Sequence, residues 1–423
     1  MAHGDEFLEP STADTLRFRV EAGMRSDWTT EQFYEETFTD TTFLARRLVA
    51  TPETRIAGAL STLLAGTRSG RRQSFQLGSD LILGDRLSRG VLHGTFRHDA
   101  DSWRWTTIPR AEYERDRTFE RDLERVRISA DTRLRRGFGD GVNRLETGAG
   151  GEFMRARGEG SQFLLDRDVV RSTLGFEHAP VTGAEWRIAW LFAARVFADS
   201  VTRDHLEHGW DGHVRRDFEG GHFVMAETHG ARRTARHPAP DTRDRFVEAD
   251  VAAEGTWRLG TSWAGAVRAG FETLRYDEPD SAVFFDYGIA RAQITPRFEH
   301  SSWTIAAGPR VEVLDTALGP LEEYRELSAI VEFEGLLPGT WWSVVPEYGW
   351  REYRISVTGV PVRPEEIGAH SSYRFVELNV YADQRIPGGI RARLLGSGRY
   401  EAHTQAADDS RSLYISFDVR KIF

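Results

Sequence analysis

Few residues in this chain have the types and spacing that chemistry needs. The densest group of potential metal ligands is RDHLEHGWDGH, which holds His205, Glu207, His208, Asp211 and His213. A transition-metal site needs several such groups converging on one point. On a strand, His208 and His213 point to opposite faces, and His205 falls in the preceding turn. The group therefore predicts a solvated loop rim and no metal centre. Nucleophilic hydrolysis needs a Ser, a His and a carboxylate or amide together. There is no GxSxG, and His370–Ser371 sits in an expected loop without an evident third partner. The acidic groups Asp277–Glu278–Asp280 and Asp408–Asp409 could hold Ca²⁺ but lack EF-hand spacing. P-loop and dinucleotide patterns are absent. Cysteine is absent too, which removes thiolate metal sites, Cys nucleophiles and disulfides. The reading is of no enzyme, no metal and no cofactor.

The elements around these residues have a period of two. In Leu16–Arg25 the even positions are Leu16, Phe18, Val20, Ala22 and Met24, and the odd ones are Arg17, Arg19, Glu21, Gly23 and Arg25. A strand sends successive side chains to opposite faces, so one face is oily and the other charged. A helix would scatter the same residues around its circumference. The pattern returns at Val126–Leu134, at Trp186–Val196, at Trp263–Phe271, at Val376–Ala382 and at Leu413–Lys421. These segments run about 11–15 residues. That exceeds the ~5–6 of soluble strands and suits the ~9–11 or more of tilted membrane strands. No run of ~20 apolar residues would make a spanning helix.

Breaks between segments alternate in length. Short Gly-rich breaks fall at 138–141, 179–183, 219–221, 258–261, 300–302, 337–340 and 386–389, and longer polar ones lie between them. Short turns on one side and longer loops on the other predict an antiparallel up-and-down transmembrane β-barrel over 14–423, with 1–13 as an N-terminal extension. Counting segments gives about 20 strands, with a range of 18–22. An even number returns both termini to one side. Residues 27–53 are read as one long loop, a lumen-constricting segment or a further hairpin. They hold Trp28, Phe33, Tyr34, Phe38, Phe43 and Arg46–Arg47. Trp186, Trp263, Trp303, Trp341 and Trp342 follow short turns, while Tyr276, Tyr353 and Tyr373 lie near longer loops, as two interfacial girdles would.

Lys+Arg total 55 and Asp+Glu 65, a net charge of −10 over 423 residues, which argues against a nucleic-acid partner. Mean hydropathy is −0.47, too polar for a helical membrane protein. The opening MAHGDEFLEP shows no basic or apolar region of a secretory signal.

The last strand, SLYISFDVRKIF, alternates apolar residues and ends on Phe423. In this it resembles Gram-negative outer-membrane β-barrel proteins of the porin-like superfamily. The resemblance implies a place in the cell outer membrane, contact with its lipid and lipopolysaccharide, and Phe423 as an assembly signal for the barrel-assembly machinery.

If the apolar face meets lipid, the charged face lines the lumen. The candidates are Arg17, Arg19, Glu21, Arg125, Arg127, Asp131, Arg133, Arg187, Arg195, Arg268, Glu272, Arg310, Glu312, Glu332, Glu334, Glu377, Asp418 and Arg420. Each Arg turned to lipid at the midplane would cost about 2–4 kcal/mol. Such charges can brace the wall as ion pairs or set the ion preference of an aqueous pore. The function expected is passive diffusion of small hydrophilic solutes or ions. The alternative is a barrel that anchors or sheathes a partner protein of an export or electron-transfer assembly.

Overall fold

An extended segment in lipid has no water to satisfy its backbone N–H and C=O groups, so each strand needs a neighbour on both sides. The computed structural model describes residues 15–39, 42–68, 72–117, 122–139, 141–158, 166–237, 245–279, 285–317, 322–355, 370–405 and 408–423, with side chains described outside 31–53. The first ten strands are β1 (Thr15–Thr39), β2 (Thr42–Arg68), β3 (Gln73–Gly84), β4 (Leu87–Ala100), β5 (Trp103–Asp116), β6 (Leu123–Phe138), β7 (Asn143–Gly158), β8 (Arg167–His178), β9 (Ala184–Phe197) and β10 (His205–Phe218). The remaining ten are β11 (His222–Ala235), β12 (Phe246–Leu259), β13 (Trp263–Tyr276), β14 (Tyr287–Glu299), β15 (Trp303–Thr316), β16 (Tyr324–Leu337), β17 (Thr340–Tyr353), β18 (Tyr373–Ile386), β19 (Ile390–His403) and β20 (Ser410–Ile422). The expected 20 strands are present.

Each strand pairs antiparallel with the next, and β20 closes the ring on β1, Glu21–Gln32 lying against Arg411–Ile422. Beyond the last strand the Phe423 N–H donates to the Val20 carbonyl at 2.8 Å, so the carboxy terminus seals the seam. Following paired residues once round the wall from Glu21 returns to β1 about 24 residues further along. That stagger corresponds to a strand tilt of ~40° and a backbone radius of ~20 Å.

The short Gly-rich turns all lie on one rim with Thr15 and Phe423, as the alternation of break lengths predicts. Gly220 and Gly221 both take φ near +80° there (82° and 81°), a left-handed conformation that a side chain would resist. The longer loops occupy the other rim. Residues 1–14, 159–165 and 356–369, where the sequence suggests an extension and two of these loops, lie outside the described residues.

Residues 27–53 correct one expectation. They are neither a loop nor a separate hairpin. They prolong β1 and β2, paired from Thr15↔Thr67 to Thr39↔Thr42. The wall takes up only part of this length: β1 leaves β20 after Gln32, and β2 meets β3 from Ala57 onward. The rest of the hairpin pairs with itself. The strand count stays even because the extra residues lengthen two strands instead of adding two.

Aromatics at the short-turn rim fit the outward band. Trp263, Phe298, Trp303, Phe333 and Trp342 run in a chain with ring centroids 5.1, 5.5, 5.9 and 4.6 Å apart. Several outward glycines make room for neighbouring rings. A Cβ on Gly230 would lie 2.1 Å from the Trp210 indole, one on Gly265 2.5 Å from Trp257, and one on Gly335 2.6 Å from Trp342. Trp341, Tyr276, Tyr353 and Tyr373 depart from the girdle reading. Their register places them on the charged face, where Trp341 meets Tyr381 at 4.9 Å. Proximity to a rim was legible in the sequence, but parity decides the face.

Gly230→Leu should force Trp210 out of its seat and cost about 1–3 kcal/mol. The check is the urea midpoint in lipid vesicles, read by tryptophan fluorescence; an unchanged midpoint would mean that the ring is not held by this glycine.

Candidate functional site: the ion-pair wall

The charged parity of the strands forms one continuous surface. The eighteen charged candidates all fall on this parity, by the cross-strand register. Carboxylates there are crowded: Glu21, Glu112, Glu146, Glu152, Glu312, Glu326 and Asp418 are buried. The opposite parity exposes Ile128, Ile188, Val376 and Phe417. Crowding on one face and splaying on the other is what curvature does to a closed sheet, with the crowded side concave.

Register sets the pairing. Arg89 meets Glu112 at 2.6 Å, Arg125 meets Glu114 at 3.1 Å, and Arg127 meets Glu152 at 2.5 Å. Arg167, from the other side, reaches the same Glu152 at 3.0 Å. Asp131 and Arg171 pair at 2.6 Å across β7, over Gly150. A Cβ on Gly150 would stand 2.0 Å from the Asp131 carboxylate, so this glycine opens the path between them. Further round, Arg187 lies 3.8 Å from Glu146 and 3.6 Å from Asp211, and Arg195 lies 3.4 Å from Glu207. Arg268 pairs with Glu254 at 2.9 Å, and Arg291 joins Glu272 and Glu312 at 3.1 and 2.8 Å. Arg310 also reaches Glu312, at 3.4 Å. Arg399 holds Glu377 at 3.0 Å, Arg420 holds Asp418 at 2.9 Å, and Arg19 holds Glu21 at 3.1 Å.

Four candidates stand apart. Arg17, Arg133, Glu332 and Glu334 make no ion pair among the described residues. Arg133 on β6 and Glu332 on β16 lie half the ring apart, at the same height above their short turns. Sequence reasoning found the charged face but could not separate spent charges from free ones, because partners sit on other strands.

At the long-loop rim the charged face carries an aromatic cluster that sequence reasoning missed. Arg351 lies over the Tyr324 ring at 3.9 Å and pairs with Glu326 at 2.7 Å, while the Tyr324 hydroxyl donates to Glu312 at 2.6 Å. Tyr373 and Phe375 are buried beside it. Outside the strands, the hydrogen-bonded Arg115 guanidinium holds the Asp122 carboxyl below its ordinary range.

The small motifs resolve without catalysis. Ser371 does have partners, contrary to expectation: His403 Nδ1 at 2.7 Å and Asp408 at 2.6 Å. The serine hydroxyl donates to the Asp408 carboxylate. Ser371 is also buried, and the trio ties neighbouring loops together. His205 is the first residue of β10, not part of a turn, and is buried against Phe197. His208 lies on the apolar face near Trp190 and Phe192. Among the described residues no group of three His, Asp or Glu could hold a metal ion. Asp277 and Glu278 are taken by Arg232 and Arg245, at 2.6 and 2.7 Å. Asp280 lies outside the described residues.

The closed wall, apolar outer surface and charged inner parity define an antiparallel β-barrel of the transmembrane type. Solved structures agree. The siderophore receptor PirA from Pseudomonas aeruginosa superposes with a TM-score of 0.56 at 9% identity, over 95% of this chain and 80% of that one. The copper transporter OprC gives 0.56 at 11% identity, over 98% and 81%. The alcaligin outer-membrane receptor FauA from Bordetella pertussis gives 0.55 at 10% identity, over 94% and 76%. These neighbours are named as receptors and transporters, not enzymes. At such identities the likeness shows fold alone. No protein-family model matches the sequence, and no curated protein is detectably similar to it.

Glu152→Gln would leave Arg127 and Arg167 without their shared counter-charge. The expected cost is about 1–3 kcal/mol, the lumen's water softening the penalty of a fully buried pair. Urea unfolding in vesicles would measure it. Glu332→Gln, which breaks no pair, should leave the midpoint within about 0.5 kcal/mol.

Proposed function

We propose that the barrel is a passive outer-membrane pore for small hydrophilic solutes or ions. One observation carries this reading: a closed ring whose charged parity faces an interior too wide for side chains to fill. At a backbone radius of ~20 Å, the inner side chains leave a passage on the order of 25 Å across. Among the described residues every strand pairs only with its ring neighbours. The lumen charges are mostly neutralised in place, so they stiffen the wall and keep it wet. Selectivity falls to the charges of this face that form no ion pair among the described residues, Arg17, Arg133, Glu332 and Glu334 together with Glu185, Glu227, Glu248, Asp250, Arg297 and Arg385, because a neutralised pair adds little net field. Beyond about 8 Å that field is screened at physiological salt, so the charges sort solutes that pass close to the wall. Phe423 serves in this reading as the assembly signal at the closing strand.

Purified protein in planar bilayers should conduct without added ligand. Arg133→Ala should shift selectivity toward cations, and Glu332→Gln with Glu334→Gln should shift it toward anions. Arg125→Ala or Arg127→Ala would also unbalance a carboxylate partner, so these changes combine selectivity with loss of wall stability. Truncating the free end of the β1–β2 hairpin should leave the wall intact, whereas deleting all of 27–53 would remove pairs that close the ring. A silent bilayer from well-folded protein would overturn the pore. A second protein retained in the lumen would support the sheath reading instead.

A further inference from the structure

The aromatic rings of the charged face follow a rule at the long-loop rim. Strands β12, β14, β16 and β18 begin on Phe246, Tyr287, Tyr324 and Tyr373, and β13 and β17 end on Tyr276 and Tyr353. Each is the last residue of its strand at that rim, and register places each on the charged face. Within this run only β15 lacks a terminal ring, ending on Thr316. Phe197, which ends β9, stands apart from the run and packs on His205. Across the lumen the corresponding residues of β3 to β8 are Gly84, Leu87, Asp116, Leu123, Gly158 and Arg167, none with a ring. The rings therefore form an arc on one side of the mouth. An interfacial girdle does not account for it, because rings that face the lumen do not meet lipid.

Neighbouring rings meet edge to face and do not stack on one another. Phe246 and Tyr276 lie 5.6 Å apart at 67°, and Tyr324 and Tyr353 lie 5.7 Å apart at 66°. Other groups back them. Arg233 sits over Phe246 at 4.7 Å, Arg351 over Tyr324 at 3.9 Å, and His370 stacks on Tyr353 at 4.9 Å. The hydroxyls of Tyr287 and Tyr324 donate to Glu272 and Glu312 at 3.0 and 2.6 Å, which pins those two rings. Tyr373 is buried, and the other five rings are half-buried. Each of these five keeps apolar surface in water, and covering that surface is favourable. The rings are already held, so a ligand that covers them orders little in doing so. Inward of Phe246, Tyr324 and Tyr353, the next residues on the same face are Glu248, Glu326 and Arg351.

We propose that the arc binds a neutral oligosaccharide, laid along the rim with successive sugars on successive rings. Shape is the first reason. The band is one ring deep on every strand but β18, where Phe375 lies beneath Tyr373, and it runs along the rim from β12 to β18. A stable protein partner needs a patch of about 800 Å², whereas an extended chain needs only such a strip. Surface chemistry is the second. A pyranose has a face of C–H groups that packs on an aromatic ring, and hydroxyls around its edge that reach the carboxylates and guanidiniums of the layer below. Charge is the third. Much of that layer is neutralised in place, as Arg351 is by Glu326 at 2.7 Å, so it offers hydrogen bonds with little net field and favours an uncharged ligand. This names a solute class for the pore, and it rests on that reading in taking the mouth as open to water.

The test uses the full-length protein in a detergent without a sugar headgroup, with binding followed by saturation-transfer NMR. The probes are α-1,4- and β-1,4-linked glucose pentasaccharides, glucose, and sorbitol, which has the hydroxyls but no ring face. At least one pentasaccharide should bind about tenfold more tightly than glucose, because it covers several rings at once, and sorbitol should show no binding. Tyr276→Ser with Tyr353→Ser should remove that margin. Tyr276→Phe with Tyr353→Phe, which keeps both rings, should retain it. Tyr348→Ser, on the outward face and 49% exposed, should leave it unchanged. Heat-modifiable mobility checks folding, and Phe246→Ser at the other end of the arc replaces the double serine variant if that one does not fold. Equal binding of sorbitol and the pentasaccharides would overturn the proposal, as would an undiminished margin in a folded serine variant. Bilayer recordings separate the two readings. A conducting protein that binds neither pentasaccharide loses this site and keeps the pore, and a silent one that binds loses the pore and keeps the site.

Discussion

The structure depends on one requirement: in a hydrocarbon layer each backbone donor and acceptor must find its partner within the protein. A sheet meets this only by closing, and here the closure is the pairing of Glu21–Gln32 with Arg411–Ile422. Much else follows from it. An antiparallel ring needs an even number of strands, which puts the start of β1 and the end of β20 on one rim. Tilt and stagger then fix a wide interior. Closure also gives the sheet a concave and a convex side, so a period of two along the chain becomes an inside and an outside.

The inner surface handles its charge by local neutralisation. Arginine supplies nearly all the cations, Lys421 being the exception. Its forked guanidinium can bridge two carboxylates at once, as Arg291 does between Glu272 and Glu312. Carboxylates bridge in turn, as Glu152 does between Arg127 and Arg167. Each partly hydrated pair contributes only about 0.2–1 kcal/mol, yet the pairs link β4 through β8 in a nearly unbroken chain. Bracing the wall and lining the lumen are thus compatible tasks for the same residues. The charges left without a partner give the inner surface its net field.

The outer surface follows the opposite rule. Charge is confined to the edges, tryptophans crowd the short-turn rim, and glycines make space for their rings. Even there, most arginines are answered by a nearby carboxylate.

The sequence by itself determined the strands, their approximate ends, the alternation of turn lengths and the identity of the charged face. Those features are written in a period of two, and that period needs only neighbouring residues to be read. Three things were decided by tertiary structure. Residues 27–53 became a prolonged hairpin because their partners are each other, a fact that composition does not carry. Tyr276, Tyr353 and Tyr373 turned to the charged face because parity within a strand, not nearness to a rim, sets direction. The division between paired and free charges depended on stagger: Arg133 and Arg171 look alike in the sequence, and only the register across Gly150 gives one of them Asp131 and leaves the other alone. Alternation is a local property of the chain, whereas pairing depends on how each strand is offset from its neighbour, and closure of the ring fixes that offset.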